Sequence, residues 1–235
     1  PDAAVLIDFP DVNFRLARVC KELGIPVIYF VSPQLWAWKQ HRVRWVRERV
    51  SKMLVIFPFE ETYYRERGVD AEFIGHPLAD LPLPSISRQE FASQNGLDPS
   101  KHWVGLLPGS RAKELRLNLP PMVAAANLLG ASYEYVLPAA ATLDPESVRK
   151  MVAQNNQATR GIYVPIRVVE DARATLLHAR ASIVASGTAT VEAALIGNPF
   201  IAVYRLSALS YAVASRLVKL PYVATIEQQV GRAEL

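Results

Sequence analysis

Three short stretches of this 235-residue chain carry residue types that can do chemistry. The first is Ser186-Gly187-Thr188-Ala189-Thr190-Val191-Glu192. It follows the apolar run 181–185, which reads as a buried strand, and precedes a helix stopped at Gly197-Asn198-Pro199. A strand, a glycine turn and a helix start present free backbone N–H groups and the positive end of a helix dipole, which together suit an anion. Thr188 and Thr190 add hydroxyls, and Glu192, one turn in, could reach a sugar hydroxyl. The plainer reading is a helix capped by Ser186 or Thr188. The second stretch, Pro108-Gly109-Ser110-Arg111, repeats the strand–turn–helix pattern after an apolar run at 104–107, with Glu114 near the helix start. Its amides could cradle an anion, and Arg111 could grip a phosphate with two parallel bonds. The third is Asp8, at the end of the apolar run 3–7. A carboxylate beyond the carboxyl end of a strand is placed to act as a general base. Asp11, just after it, reads most simply as a helix N-cap.

The elements that would hold these residues alternate. The run at 3–7 reads as a strand buried on both faces of a parallel sheet. A helix follows at about 12–23 and a strand at 26–31. Ser32-Pro33 then opens an aromatic and basic helix reaching about Lys52, with Trp36, Trp38 and Trp45 beside Lys39, Arg42, Arg44, Arg47 and Arg49. That helix either packs on the sheet with solvated arginines or touches an anionic membrane surface. Strands at 53–57 and 71–74 flank a helix that ends at Gly68. His76 follows at a turn, read either as facing a cleft between two halves or as a turn histidine bonded to backbone. The proline-punctuated segment 81–85 reads as a linker. Beyond it come a helix at 87–95, strands at 104–107, 133–137 and 162–164, helices at 145–155 and 170–180, a strand at 200–204 and an apolar helix at 210–220. Alternation of this kind defines an α/β chain of two Rossmann-like halves.

Composition narrows the function. Hydrophobic residues make up 51% and charged residues 20%, so there is ample core material. The net charge of +4 leans weakly towards anionic partners. With Cys20 alone, no internal disulfide or cysteine metal site can form, and a reducing compartment fits. His41, His76, His102 and His178 show no metal-ligand spacing. No apolar run reaches the roughly 18 residues of a membrane span, and no nucleic-acid reader motif accompanies the basic residues. The chain opens at Pro1-Asp2 directly before a strand, which suggests an upstream part.

Five segments in order resemble lipid-A-disaccharide synthases: Leu6-Ile7-Asp8-Phe9-Pro10-Asp11-Val12-Asn13, Val31-Ser32-Pro33-Gln34-Leu35-Trp36-Ala37-Trp38, Phe73-Ile74-Gly75-His76-Pro77-Leu78, Leu107-Pro108-Gly109-Ser110-Arg111 and Ser186 to Glu192. The resemblance implies a GT-B glycosyltransferase, two Rossmann-like domains facing across a cleft. They would be an acceptor and lipid domain at 1–84, incomplete at its start, a UDP-sugar domain at 85–205, and a tail at 206–235 crossing back. It implies inverting, metal-independent transfer of 2,3-diacylglucosamine from its UDP derivative to 2,3-diacylglucosamine 1-phosphate, with no cofactor. Asp8 would be the base and Arg111 would stabilise the departing diphosphate. Gly109, Ser110, Arg111, Ser186, Gly187, Thr188 and Glu192 would bind UDP, with Glu192 on the ribose. Asp11, Asn13, Trp36, Trp38 and His76 would lie on the acceptor and lipid side. The partners would be the two lipid substrates and the cytoplasmic face of the inner membrane, without nucleic acid; a homodimer fits. The tail 222–235 departs from the family pattern, which usually carries a Leu-Pro-Asn segment there. Rival readings are another UDP-sugar enzyme of the same fold, such as a UDP-GlcNAc 2-epimerase or the peptidoglycan N-acetylglucosaminyltransferase, or a non-catalytic nucleotide- or lipid-binding relative.

Overall fold

The computed structural model describes residues 1–158, 163–203 and 205. They fall into two compact units divided between Asp80 and Leu81. The helix expected at 210–220 and the tail lie outside the described residues.

The first unit is a four-stranded parallel sheet, ordered β1 (Ala4–Ile7), β2 (Val27–Phe30), β3 (Lys52–Val55), β4 (Ala71–Phe73). Each strand pairs with the next in sequence, as right-handed strand–helix–strand units require. Helix α1 (Pro10–Glu22) starts with proline at its first position, where the missing N–H costs nothing, and it buries Phe14 and Ala17. Helix α2 (Val43–Arg49) buries Val43 and Val46. Helix α3 (Pro58–Arg65) buries Tyr64 and Glu60. These residues pack with Val27, Tyr29, Met53, Val55 and Ala71 into one core.

Two expectations fail here. Strand β1 is not buried on both faces among the described residues: Val5 and Ile7 share one face and are 59% and 58% exposed, while Leu6 and Ala4 on the other pack into the core. The tryptophan segment is not a continuous helix from Pro33. Residues 31–39 form tight turns, with the Leu35 amide bonding Pro33 O and the Trp38 amide bonding Gln34 O. Val31 and Lys39 take left-handed backbone, so helix starts only at Gln40 with a single 3₁₀ turn before α2. Trp36 and Trp38 therefore sit on a loop.

The second unit is a five-stranded parallel sheet ordered β7-β6-β5-β8-β9. Its strands are β5 (His102–Leu107), β6 (Tyr133–Pro138), β7 (Ile166–Val169), β8 (Ala181–Ala185) and β9 (Phe200–Val203). Helices α4 (Arg88–Asn95), α5 (Ala112–Leu129), α6 (Pro145–Ala158), α7 (Ala172–His178) and α8 (Thr188–Ile196) separate or precede them. The strand expected at 162–164 lies further on, at β7: residues 163–165 are irregular, since Pro165 has no N–H to give a ladder, and Ile166 is the first to pair, opposite Tyr135. Strand order runs outward from β5 through β6 and β7 on one side and through β8 and β9 on the other. This places a topological switch point between β5 and β8, where open α/β sheets bind ligands beyond the carboxyl ends of the strands.

Candidate functional site

At that switch point lies a cavity of about 370 Å³. The turn after β5 lines one side with Gly109, Ser110, Arg111 and Glu114; the turn after β8 lines the other with Ser186, Gly187, Thr188, Ala189 and Glu192. Pro138 at the end of β6 and Ala140 just beyond it complete it with Ala172 of α7. The two glycine turns of the sequence, 78 positions apart between Gly109 and Gly187, are thus neighbours around one space. β5 and β8 are adjacent, with Leu107 opposite Val184, so the turns that leave them must meet.

The two turns are not equivalent. The cap position of helix α8 is Gly187, which has no side chain to cap it, and Thr188 is already the first helical residue. The Thr190 hydroxyl is buried and donates back to Gly187 O at 2.7 Å, which shapes the turn and removes that hydroxyl from ligand binding. An uncapped helix N-terminus opening on a cavity is a ready anion site. The turn after β5, by contrast, holds its own anion. Glu114 Oε2 accepts from the Ser110 amide at 3.0 Å and the Arg111 amide at 3.3 Å, and Oε1 accepts from the Arg111 guanidinium at 2.9 Å. The amides expected to be free are therefore occupied by a carboxylate three positions into the helix. Gly109 has φ +117, and a Cβ there would lie 2.5 Å from Glu114 Oε2, so only glycine fits. Arg111 is 81% exposed apart from this pairing and can swing to an incoming phosphate.

Glu192 is held by a residue from another helix. Its carboxylate pairs with Arg173 of α7 at 3.2 Å, with both side chains about one-fifth exposed. Arg173 in turn donates to Pro82 O at 2.9 Å, fastening the linker segment to α7. Asn118 donates to Pro108 O and Thr142 donates to Ser110 O, which fixes the turn after β5 from behind. Of these supports, only Glu114 had a legible signal, its spacing from the turn.

In the first unit, Asp8 ends β1 with its side chain exposed and its backbone left-handed at φ 46; Phe9 follows at φ 41. Non-glycine residues hold such backbone only when it is over-determined. Asn13 supplies the constraint: its side-chain amide donates to Ile7 O at 2.9 Å and Asp8 O at 2.6 Å, and the Tyr29 hydroxyl also donates to Asp8 O. Burial pushes the Tyr29 hydroxyl up to about 12, so it stays a donor. Both donors of the Asn13 side-chain amide are thus spent on the turn. Asp11 is not an N-cap. It lies within the first turn of α1, the cap position being Phe9, and its carboxylate bonds Arg42 at 2.9 Å. That bond holds its carboxyl below the usual range.

Trp36 is tied down and Trp38 is not. The Trp36 indole donates to Glu60 Oε1 at 3.1 Å and packs edge-on to Phe59. Glu60 is buried, and it also accepts from Ser32 Oγ at 2.7 Å and from the Phe57 amide at 3.2 Å. Desolvation raises its carboxyl above the usual range, against these bonds. Trp38 is 47% exposed, with Lys39 Nζ 4.0 Å over its ring. His76 fits the backbone-bonded reading: Nδ1 accepts the Leu78 amide at 3.1 Å, beside the Phe57 ring, and burial lowers its proton affinity. Among the described residues no group of three His, Cys, Asp or Glu side chains could hold a metal ion. No described helix is long and apolar enough to cross a membrane.

Parallel sheets in two units, a switch-point cavity and an uncapped helix N-terminus define a GT-B-type α/β protein. Solved structures share this fold at low identity. They include Staphylococcus aureus MnaA with UDP (TM-score 0.62, 12% identity, 97% of this chain and 65% of that one) and Neisseria meningitidis UDP-GlcNAc 2-epimerase bound to UDP-GlcNAc (0.60, 14%, 91% and 62%). The chain belongs to the lipid-A-disaccharide synthetase family, whose match runs over residues 1–232. It is 62% identical to the lipid-A-disaccharide synthase of Acidobacterium capsulatum, over 95% of this chain and 58% of that protein. It is 52% identical to that of Koribacter versatilis, over 99% and 59%. The chain therefore spans a little under three-fifths of the length of these relatives.

Proposed function

We propose that the protein carrying this chain is a lipid A disaccharide synthase. It transfers 2,3-diacylglucosamine from its UDP derivative to the 6-hydroxyl of 2,3-diacylglucosamine 1-phosphate, with inversion at the anomeric carbon. The observation that carries the reading is the cavity at the β5/β8 switch point, lined by the uncapped start of α8 and by Glu192. A diphosphate placed at the α8 amides meets the positive end of the helix, and Glu192, fixed by Arg173, meets the ribose hydroxyls. Arg111 turns from Glu114 to the leaving diphosphate as the bond from the anomeric carbon to the phosphate oxygen breaks. Asp8 takes the proton of the acceptor hydroxyl as its oxygen attacks. These groups account for base and leaving-group stabilisation without a metal. Trp38, exposed on its loop with Lys39 Nζ over its ring, suits contact with an inner-membrane surface that presents both lipids.

The test is release of UDP by the full-length protein given both lipid substrates. No release from a folded sample would overturn the proposal. Asp8→Ala should abolish turnover and leave UDP affinity within about twofold, since Asp8 is assigned to the acceptor and not to the nucleotide. Loss of UDP affinity would remove Asp8 from the role of base. A substrate panel separates the epimerase-like reading: turnover of UDP-GlcNAc alone, without an acceptor, would favour it.

A further inference from the structure

A second cavity, of about 790 Å³, opens between α1 and α2 in the first unit. Four guanidiniums line it: Arg15 and Arg18 from α1, Arg42 just before α2, and Arg49 at the end of α2. Phe14 and Trp45 form its apolar floor. Asp11 is the sole carboxylate in the lining, and it is already engaged with Arg42. Arg42 and Arg49 both lie over the Trp45 ring, at 5.3 and 5.2 Å from its centre, which orients their planes before any ligand arrives. Arg49 uses one nitrogen on Phe14 O. Arg18 reaches Glu22 at 3.6 Å, away from the lining. Arg15 makes no hydrogen bond or ion pair among the described residues. Arg42 Nε is buried without a hydrogen-bond partner there. Four cations around one carboxylate repel each other, and a buried donor left unmade is costly. An entering oxyanion relieves the repulsion, and guanidiniums suit phosphate because they bind it with paired donors.

We propose that the α1–α2 cavity is a phosphate-binding site, distinct from the nucleotide cavity of the second unit, that takes the phosphate group of an anionic lipid headgroup or of a soluble phosphate. Arg15 and Arg49 supply the paired donors, Arg18 adds charge, and Trp45 holds Arg42 and Arg49 in place. The site stands whether or not the protein performs the transfer proposed above.

The experiment follows the Trp45 indole N–H resonance of the full-length protein during titration with inorganic phosphate. The resonance should shift and saturate. Arg15→Gln should weaken binding several-fold and Arg15→Gln/Arg49→Gln by about tenfold or more, since each guanidinium removed takes charged hydrogen bonds with it. Arg44→Gln makes the same charge change on the exposed side of α2 and should leave affinity within about twofold. Arg15→Gln touches no internal bond, so its result stands even if the double variant folds poorly. Co-sedimentation with phosphatidylglycerol vesicles, against phosphatidylcholine alone, separates the sources. Loss of sedimentation in the arginine variants assigns the headgroup; unchanged sedimentation with lost phosphate binding assigns a soluble phosphate. Absence of saturable phosphate binding, or equal loss in Arg44→Gln, would overturn the site.

Discussion

Glu60 is the buried carboxyl that shapes the tryptophan loop, and removing it has a calculable effect. Its side chain accepts from Ser32 Oγ, the Trp36 indole and the Phe57 amide, and it is 1% exposed. In Glu60→Ala the Ser32 hydroxyl and Phe57 amide are left as buried donors, at about 1–3 kcal/mol each. The one lost methylene adds about 0.8 kcal/mol. Trp36, half-buried, recovers part of its bond from water. The sum is about 3–7 kcal/mol of stability, read by urea denaturation of the full-length protein. Glu60→Gln adds a pH test. Desolvation raises the native carboxyl above its unfolded value. The native state therefore binds the extra proton, and this group's contribution to stability falls as pH rises from the ordinary glutamate range through the raised one. Glu60→Gln abolishes that contribution, so the wild-type-minus-variant stability difference must decline with rising pH across that window. Asp98 and Asp144, held low by Ser100 and Ser147, push the other way but are common to both proteins and cancel. A flat difference, or a Glu60→Ala loss under about 1 kcal/mol, would show that Glu60 neither holds a raised carboxyl nor ties the loop.

Three further outcomes follow from the geometry. Gly109→Ala forces a methyl into Glu114 at a left-handed backbone position and should lower stability by about 1–3 kcal/mol, with weaker UDP binding in calorimetry; unchanged values would show that the turn adapts. Arg173→Met strips Glu192 of its ion pair and the linker of its anchor. It should weaken UDP binding about tenfold, which an unaltered titration would contradict. Asn13→Asp faces a carboxylate towards two backbone carbonyls, so it should cost more stability than Asn13→Ala, itself about 1–2 kcal/mol; the reverse order would show that Asn13 does not hold the Asp8 turn.

Much of the second unit was legible because its signals are local. The run at 181–185, Gly187 and Gly197 mark β8, its turn and the end of α8 within a residue. The parallel order around β5 follows from strand–helix alternation. What escaped reading depends on distant residues. Nothing near Trp36 announces that Glu60 will hold its indole and turn an expected helix into a loop. Arg173 gives no sign that it fixes Glu192, because the pair joins two helices across β8. Asp11 looked like a cap because its type and place suit one, yet Arg42, 31 positions on, claims its carboxylate. Strand β1 read as doubly buried from its composition, but burial is set by the elements that cover each face, and the face of Val5 and Ile7 stays exposed among the described residues. The Glu114 contact was within reach of the sequence, since a carboxylate three residues after a turn commonly bonds its amides.

The central claim is that the β5/β8 cavity is a UDP site in a glycosyl-transfer enzyme. The most direct test is a crystal structure of the full-length protein with UDP. The diphosphate should lie against the amides that open α8, with the ribose hydroxyls within hydrogen-bond reach of Glu192 and Arg111 released from Glu114 to the phosphates. UDP bound elsewhere, with this cavity unoccupied and the Arg111–Glu114 pair intact, would contradict it.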